Sequence, residues 1–301
     1  MTTSARMIAS SELSPQLLER VVAALGFSRA PGLDMAGLRA VYAAWCRNVP
    51  FDNLRKRIHL AQGAAGALPG STAGDFFDAW LKHRTGGTCW AGNGALCELL
   101  AALGFKCGRG IATMRADLDI PPNHGTVIVD LDGRRYLVDA SILHFEPLAL
   151  DEHEPSAVRH AAWGVRCENR QGHWYIRWRP LNAPAGIDCR IERLAATAEE
   201  FRERYEQTRG WSPFNYELTA RLIRGESVLG LALGQRVELD ATGEVQQRAL
   251  SSDERRDVLI DELGFSEEIV AQLPPDTATP PPPGSRAAQR AATRSVGHPG
   301  H

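Results

Sequence analysis

The stretch HGTVIVDLDGRRYLVDAS, residues 124–141, constrains this chain more tightly than any other. Two apolar runs flank Asp132-Gly133, a residue pair that favours the two-residue turn of a β-hairpin because both positions tolerate positive φ. Such a turn sets Leu131 opposite Arg134, and the register then runs back to Thr126 opposite Asp139 and His124 opposite Ser141. Side chains alternate between the faces of a strand, so these four residues share one face. His124 and Asp139 become diagonal neighbours, about 7–8 Å apart at the backbone and closer at their tips. A slip of one residue would part them. Of nine histidines, parity singles out His124. A carboxylate bonded to one ring nitrogen fixes the tautomer and leaves the other nitrogen to take a proton from a nucleophile.

The nucleophile is sought in RTGGTCWAGNGALCELLAALGF, residues 84–105. Leu96, Leu99, Leu100 and Leu103 follow the spacing of one buried helix face, and Gly104-Phe105 reads as a left-handed stop. This spacing puts Cys89 in the first turn. A helix N-terminus and a nearby imidazolium both favour a thiolate, and Gly86 and Gly87 let backbone and substrate come close. Spacing alone also allows a plain reading, in which Cys89 is a small buried hydrophobe and the His and Asp are a satisfied core pair.

Around these segments, residues 11–105 carry helix-period stripes (SPQLLERVVAALGF, MAGLRAVYAAWCRNVPF, GDFFDAWLKHR) and predict a helical bundle. Short alternating runs from 108 to 195 predict an antiparallel sheet or small barrel, in which Trp174, Tyr175 and Trp178 are strand residues and not a base-stacking platform. Helix signals return at 197–224, strands near VLGLALGQRVELDA, and a last helix over SSDERRDVLIDELGFSEEIVAQL, opened by Ser252, Asp253 and Glu254. The Pro- and Ala-rich residues 274–301 read as a disordered tail.

Charge is balanced, 34 basic against 36 acidic residues, which argues against nucleic acid or an anionic membrane as a partner. The N-terminus lacks an apolar signal core and no run reaches the roughly 18 apolar residues of a membrane helix, so the cytoplasm is the expected location. Six cysteines without CxxC spacing suggest neither a disulfide framework nor a zinc site, and Cys97 reads as core. His144, His153 and His160, with Asp151, Glu152 and Glu154, read as a solvated loop and not as a metal site; GRGIATM lacks phosphate-loop spacing.

Taken in order, PFDNL (50–54), GGTCWAGN (86–93) with its LAALGF, the 124–141 hairpin and SPF (212–214) resemble the motifs of arylamine N-acetyltransferases over residues 15–273. The 15-residue step from His124 to Asp139 is also similar to the family's. The resemblance implies an α+β fold: a helical bundle carrying Cys89 (1–107), an antiparallel β-barrel carrying His124 and Asp139 (108–196) and a C-terminal α/β lid (197–273), with a transglutaminase-like cysteine-enzyme core. It also implies acetyl-CoA or another acyl-CoA as co-substrate, no metal, a small amine as acceptor and a ping-pong cycle through an acyl-Cys89. Phe51, Trp90 and Ile142 sit at positions that resemble the acceptor-pocket wall, and Ser212, Pro213 and Phe214 at coenzyme-contacting ones.

Three departures accompany the likeness. Thr85 stands where the family has Arg, with Arg84 one place early; Ala91 replaces the motif's Glu; and DASILH replaces the glycines after the Asp. The missing Arg normally pairs with the acid of the PF(E/D)NL motif, so Asp52 is left with Arg84 or with no arginine at all. Two other readings stay open: a Cys-His-Asp hydrolase or amide-forming, transglutaminase-like enzyme that does not use coenzyme A, and a catalytically quiet binding protein on the same scaffold.

Overall fold

The register set by Asp132-Gly133 is the one the chain adopts. The computed structural model describes residues 13–115, 120–183, 185–285 and 288. In it Leu131 pairs with Arg134 and the ladder runs to Val127 opposite Val138. Asp132 and Gly133 take φ of 50° and 74°, the left-handed pair such a hairpin demands.

The bundle consists of α1 (Pro15–Ala24), α2 (Met35–Asn48), the short strand β1 (Phe51–Asp52), α3 (Leu54–Ala61), α4 (Ala73–His83) and α5 (Cys89–Leu103). Ser14, Asp34 and Thr72 cap α1, α2 and α4 with their side chains, and Gly104, at φ 102°, ends α5. β1 and α3 carry no sequence signal strong enough to predict them. A two-residue strand has no period, and LRKRIHLA is too polar to show a stripe.

β2 (Lys106–Met114), β3 (His124–Leu131), β4 (Arg134–Val138), β5 (Leu148–Ala149), β6 (Ser156–Val158), β7 (Val165–Arg170), β8 (His173–Trp178) and β9 (Ile187–Ala196) form one antiparallel sheet of order β5-β4-β3-β2-β9-β8-β7-β6. Its two edges nearly close, with Ser156 Oγ donating to the Ala149 carbonyl at 2.5 Å, so the sheet is a barrel. β3 is buried on both faces. Val127 and Val129 join the helical core, while Ile128 joins Leu137, Trp174 and Trp178 inside the barrel.

The lid opens with α6 (Ala198–Gln207), shorter than its expected run to 224, and a single 3-10 turn at Pro213–Asn215. β10 (Ala220–Arg224), β11 (Ser227–Ala232), β12 (Gln235–Leu239) and β13 (Val245–Ala249) then form a five-stranded sheet of order β1-β10-β11-β12-β13. β1 thus crosses over to edge the lid sheet, with Phe51 opposite Arg221. One face of this sheet packs on Leu54, Ile58, Leu259 and Phe265, and the other joins the main core through Ile223, Val228 and Val237.

The predicted last helix is broken into α7 (Ser252–Asp257), a π turn (Val258–Glu262) and α8 (Glu267–Val270). Gly264, at φ 78°, interrupts it through the same Gly-Phe stop that ends α5. Its cap is Ser251, in a capping box with Glu254, one residue before the predicted start. Among the described residues no helix is long and apolar enough to cross a membrane. The first 12 residues, and 286–287 and 289–301 of the expected tail, lie outside the described ones.

The tail departs from expectation where it begins. Arg57, with a side chain only 2% exposed, pairs with Asp276 at 2.7 Å and donates to the Pro274 and Pro275 carbonyls. Asp276 also receives Arg255 and the Leu218 N–H, and Trp211 donates to the Pro280 carbonyl. Composition hides this, because a few directed bonds replace the absent apolar contacts. Asp276→Ala is expected to cost about 2–4 kcal/mol in urea unfolding, somewhat less than breaking a fully buried pair because Asp276 is partly exposed. A loss under about 0.5 kcal/mol, the ordinary surface range, would show that residues 274–280 do not hold Arg57.

Candidate active site

Cys89 opens α5, where unpaired N–H groups favour negative charge. Thr88 holds the N-cap position but makes no side-chain cap bond; it stands near Tyr205, whose hydroxyl donates to the Pro69 carbonyl. The Cys89 sulfur is almost fully buried, lies 3.9 Å from the Asn123 carbonyl and is close enough to the His124 imidazole to raise the ring's pKa. On the other side of the ring, His124 Nε2 meets Asp139 Oδ2 at 2.7 Å. The two residues paired by hairpin parity are therefore in direct contact, beside the cysteine.

Asp139 lies one residue past β4, where its second oxygen closes the turn that follows. Oδ1 accepts the Ser141 and Ile142 N–H groups at 2.8 and 2.9 Å, an Asx-type turn written by the DASI sequence. The Tyr42 hydroxyl donates to the Asp139 carbonyl at 2.9 Å and accepts the Asp139 and His144 N–H groups, both at 3.1 Å. Asn93, one turn beyond Cys89, donates to the Gly125 carbonyl at 2.6 Å and accepts the Ala140 N–H at 2.9 Å. α5 thus carries both the sulfur and the amide that straps the His124 strand to the Asp139 turn. Asn93 stands at the Asn of the quoted motif, which was the signal for it.

Electrostatics fit an ion pair. Burial pushes the Asp139 carboxyl up, but His124 and the two backbone N–H groups outweigh it and hold it near 2. Burial pulls the His124 imidazole down, yet the charge and hydrogen bond of Asp139, with Cys89, lift it to about 10.

Asp52 is buried and, among the described residues, makes no ion pair with an arginine. It accepts the Gly86 N–H at 2.6 Å and the Leu54 N–H at 3.0 Å, and burial still raises it to about 6 against those two bonds. Arg84 does not substitute for the missing arginine, because it caps α4 at φ 60° with its guanidinium over the Trp80 ring. Gly86 is needed for backbone approach: a Cβ there would fall 1.8 Å from the Pro50 carbonyl.

The expected pocket residues divide. Phe51 meets Phe214 edge-on at 5.2 Å, and Ser212 caps the 3-10 turn by accepting the Phe214 N–H, with Pro213 at its first position. Trp90 instead packs against Phe201 of α6 at 4.9 Å. Ile142 joins the barrel core, and its carbonyl accepts a bond from Arg221. His144 corrects the solvated-loop reading: it is fully buried, bonded through Nδ1 to the Glu146 carbonyl and pulled down by burial to about 4. Cys97 is buried 3.9 Å from the Cys107 sulfur. Among the described residues no group of three His, Cys, Asp or Glu could hold a metal.

Two cations near the site escape sequence reasoning. Lys56 of α3 donates to Thr208 Oγ1 at 2.7 Å, and burial pulls it down to about 7 against the opposing charge of Cys89. Arg221 of β10 lies buried over the Trp178 ring. Lys56 is masked by the basic run 55–57 of a polar helix, and Arg221 by lying alone between apolar strand neighbours.

The pair carries a pH signature. Unfolded Asp titrates near 3.9 and unfolded His near 6.5. The depressed Asp139 therefore stabilises the fold above about pH 4, an effect lost as pH falls through about 2. The raised His124 stabilises it fully below about pH 6.5, an effect lost as pH rises through about 10. In urea unfolding, the stability gap between the natural protein and Asp139→Asn should be widest between about pH 4 and 6.5 and narrow on both sides; a flat gap would mean that the two groups are not a charged pair.

Comparison with known proteins fits this geometry. A family model described as N-acetyltransferase matches residues 34–268. The arylamine N-acetyltransferase of Mycolicibacterium smegmatis is 31% identical over 171 residues, which span 50% of this chain and 59% of that relative. The solved arylamine N-acetyltransferase of Mycobacterium abscessus superposes with a TM-score of 0.73 at 18% identity, covering 91% of this chain and 98% of that one. The Mycobacterium marinum enzyme, solved in complex with CoA, gives 0.72 at 19% identity, over 86% and 95%. With more than half of its length under that family model, this chain belongs to the N-acetyltransferase family and has the fold of its arylamine members.

Proposed function

We propose that the protein is an N-acyltransferase that moves an acetyl or other acyl group from coenzyme A to a small amine through Cys89. The observation that carries this reading is the 2.7 Å bond between His124 Nε2 and Asp139, which leaves the other ring nitrogen for the sulfur at the start of α5. The complex of the M. marinum relative with CoA supports the donor.

In the first half-reaction the Cys89 thiolate attacks the thioester carbonyl and the C–S bond to coenzyme A breaks. Coenzyme A leaves as a thiol, taking its proton from the His124 imidazolium. In the second, the amine nitrogen attacks the Cys89 thioester and neutral His124 accepts the amine proton. Collapse then releases the amide and restores the thiolate and imidazolium. Asp139 keeps its charge throughout, orienting the ring and stabilising its protonated form. Backbone N–H groups at the start of α5 are suited to the oxyanion. The three units 1–107, 108–196 and 197–273 serve this chemistry by supplying sulfur, ring and acid, and cover. Phe51 and Ile142 form the acceptor wall with Trp90, and Ser212, Pro213 and Phe214 lie on the coenzyme side.

Incubation with acetyl-CoA followed by intact-mass measurement should give one acetyl adduct, absent in Cys89→Ala. Asp139→Asn should retain the fold while slowing acylation by about 10²–10⁴-fold, since the ring loses its orienting charge. Equal alkylation of Cys89 in the two proteins from mildly acidic to mildly alkaline pH would remove the assigned roles. Turnover of amides or esters without a donor would favour the hydrolase reading instead.

A further inference from the structure

Arg221 is out of place in a core. It is 6% exposed, and within the described residues its only hydrogen-bond acceptor is the Ile142 carbonyl, reached through Nη2. Among the described residues Nε and Nη1 have no hydrogen-bond partner. The acid acting most strongly on it is Asp139, whose oxygens are already taken by His124, Ser141, Ile142 and Asn93. A buried guanidinium without its own carboxylate is costly, and natural folds keep such a charge where something answers it.

Its surroundings repeat the imbalance. The Trp178 ring lies under the guanidinium at 4.9 Å, and its indole N–H is also buried without a partner. So is the hydroxyl of Ser141, next to the residue whose carbonyl Arg221 holds. The unanswered guanidinium and indole N–H groups are donors, and the Ser141 hydroxyl can donate or accept. The buried His144 Nε2, on a ring that feels the Arg221 charge, is an unpaired but neutral acceptor. A carboxylate is the common small group that both accepts only and brings the charge a guanidinium lacks. The strand register fixes the direction. Arg221 is the antiparallel partner of Phe51, so the two side chains share a face, while Phe51 bridges to Gly87 on its other side, two residues before Cys89.

We infer that Arg221 is a carboxylate receptor in the substrate pocket, holding an acid group carried either by the amine acceptor or by the far end of the acyl chain. The inference rests on the acyltransferase reading for its placement of Phe51 and Ile142 on the acceptor wall. A guanidinium stacked on an aromatic ring suits a planar carboxylate, which can take two of its N–H groups together. The departures in DASILH fall on the loop that Arg221 grips through Ile142, so the altered loop and the arginine form one feature.

The test compares charged and neutral isosteres in two arms. With acetyl-CoA as donor, 4-aminobenzoate is set against 4-aminobenzamide; with aniline as acceptor, succinyl-CoA is set against butyryl-CoA. In one arm the natural protein should prefer the charged member by at least about tenfold in kcat/KM, and that arm identifies where the carboxylate resides. Arg221→Met should abolish the preference, and Arg221→Lys, which keeps the charge but not the fork, should keep a reduced one. No preference in either arm, or one that persists in Arg221→Met, overturns the inference. Acetylation of Cys89 by acetyl-CoA is scored separately. Its failure would refute the acyltransferase reading, and the receptor is then judged by thermal shift with benzoate against benzamide. Stabilisation by benzoate that Arg221→Met loses supports the receptor, and equal response to the two compounds refutes it.

Discussion

The bond between His124 and Asp139 is the interaction on which the rest of the site depends, because Asp139 answers to three parts of the chain at once. One oxygen holds the ring on β3 and the other closes the turn after β4. The backbone of the same residue is gripped by Tyr42 from α2, and Asn93 from α5 ties the adjoining Ala140. Barrel and bundle therefore meet at one carboxylate. A buried acid with so many donors stays ionised despite burial, and an ionised acid keeps the imidazole protonated and fixed in direction. The candidate site and the joint between the two halves of the molecule share the same few atoms.

Legibility in the sequence followed the range of the governing interaction. The hairpin was readable because Asp132-Gly133 is a local signal that fixes a register, and register fixes which side chains face one another. The start of α5 was readable for the same reason, from leucine spacing and a Gly-Phe stop. The second Gly-Phe, at Gly264, carries the same signal but lies within a longer apolar stripe that masks it. β1, the grip of Arg57 on residues 274–276 and the burial of His144 were not readable, since each is set by partners far along the chain. Lys56 and Arg221 were hidden for a further reason: a cation within the basic run of α3, or one between apolar residues on a strand, resembles a solvated face until its surroundings prove to be covered.

The departure at residue 85 shows how a site survives the loss of a partner. Thr85 is buried with an unbonded hydroxyl, and Arg84 is committed to the end of α4. Asp52 instead uses the backbone of Gly86 and Leu54, which satisfies its geometry but not its charge, so burial still raises it to about 6. What is kept is the crossing of β1 beneath the helix that bears Cys89, through Phe51 and Gly87. The carboxylate here acts as a brace for that crossing and needs no cation to do so.

The buried charges then divide by whether the chain answers them. Asp139 and His124 neutralise one another, and Asp52 has two N–H groups. Lys56 is pulled towards neutrality and holds a hydroxyl. Arg221 differs: even drawn down to about 10 by burial it remains a cation at neutral pH, and a single carbonyl does not match it. Stability alone would favour an apolar side chain at that point of β10, between Ala220 and Leu222. A local rule broken next to the loop that follows Asp139, with the Trp178 indole N–H and the Ser141 hydroxyl equally unanswered around it, is the pattern expected where a site is built to recognise an acid that the fold itself does not provide.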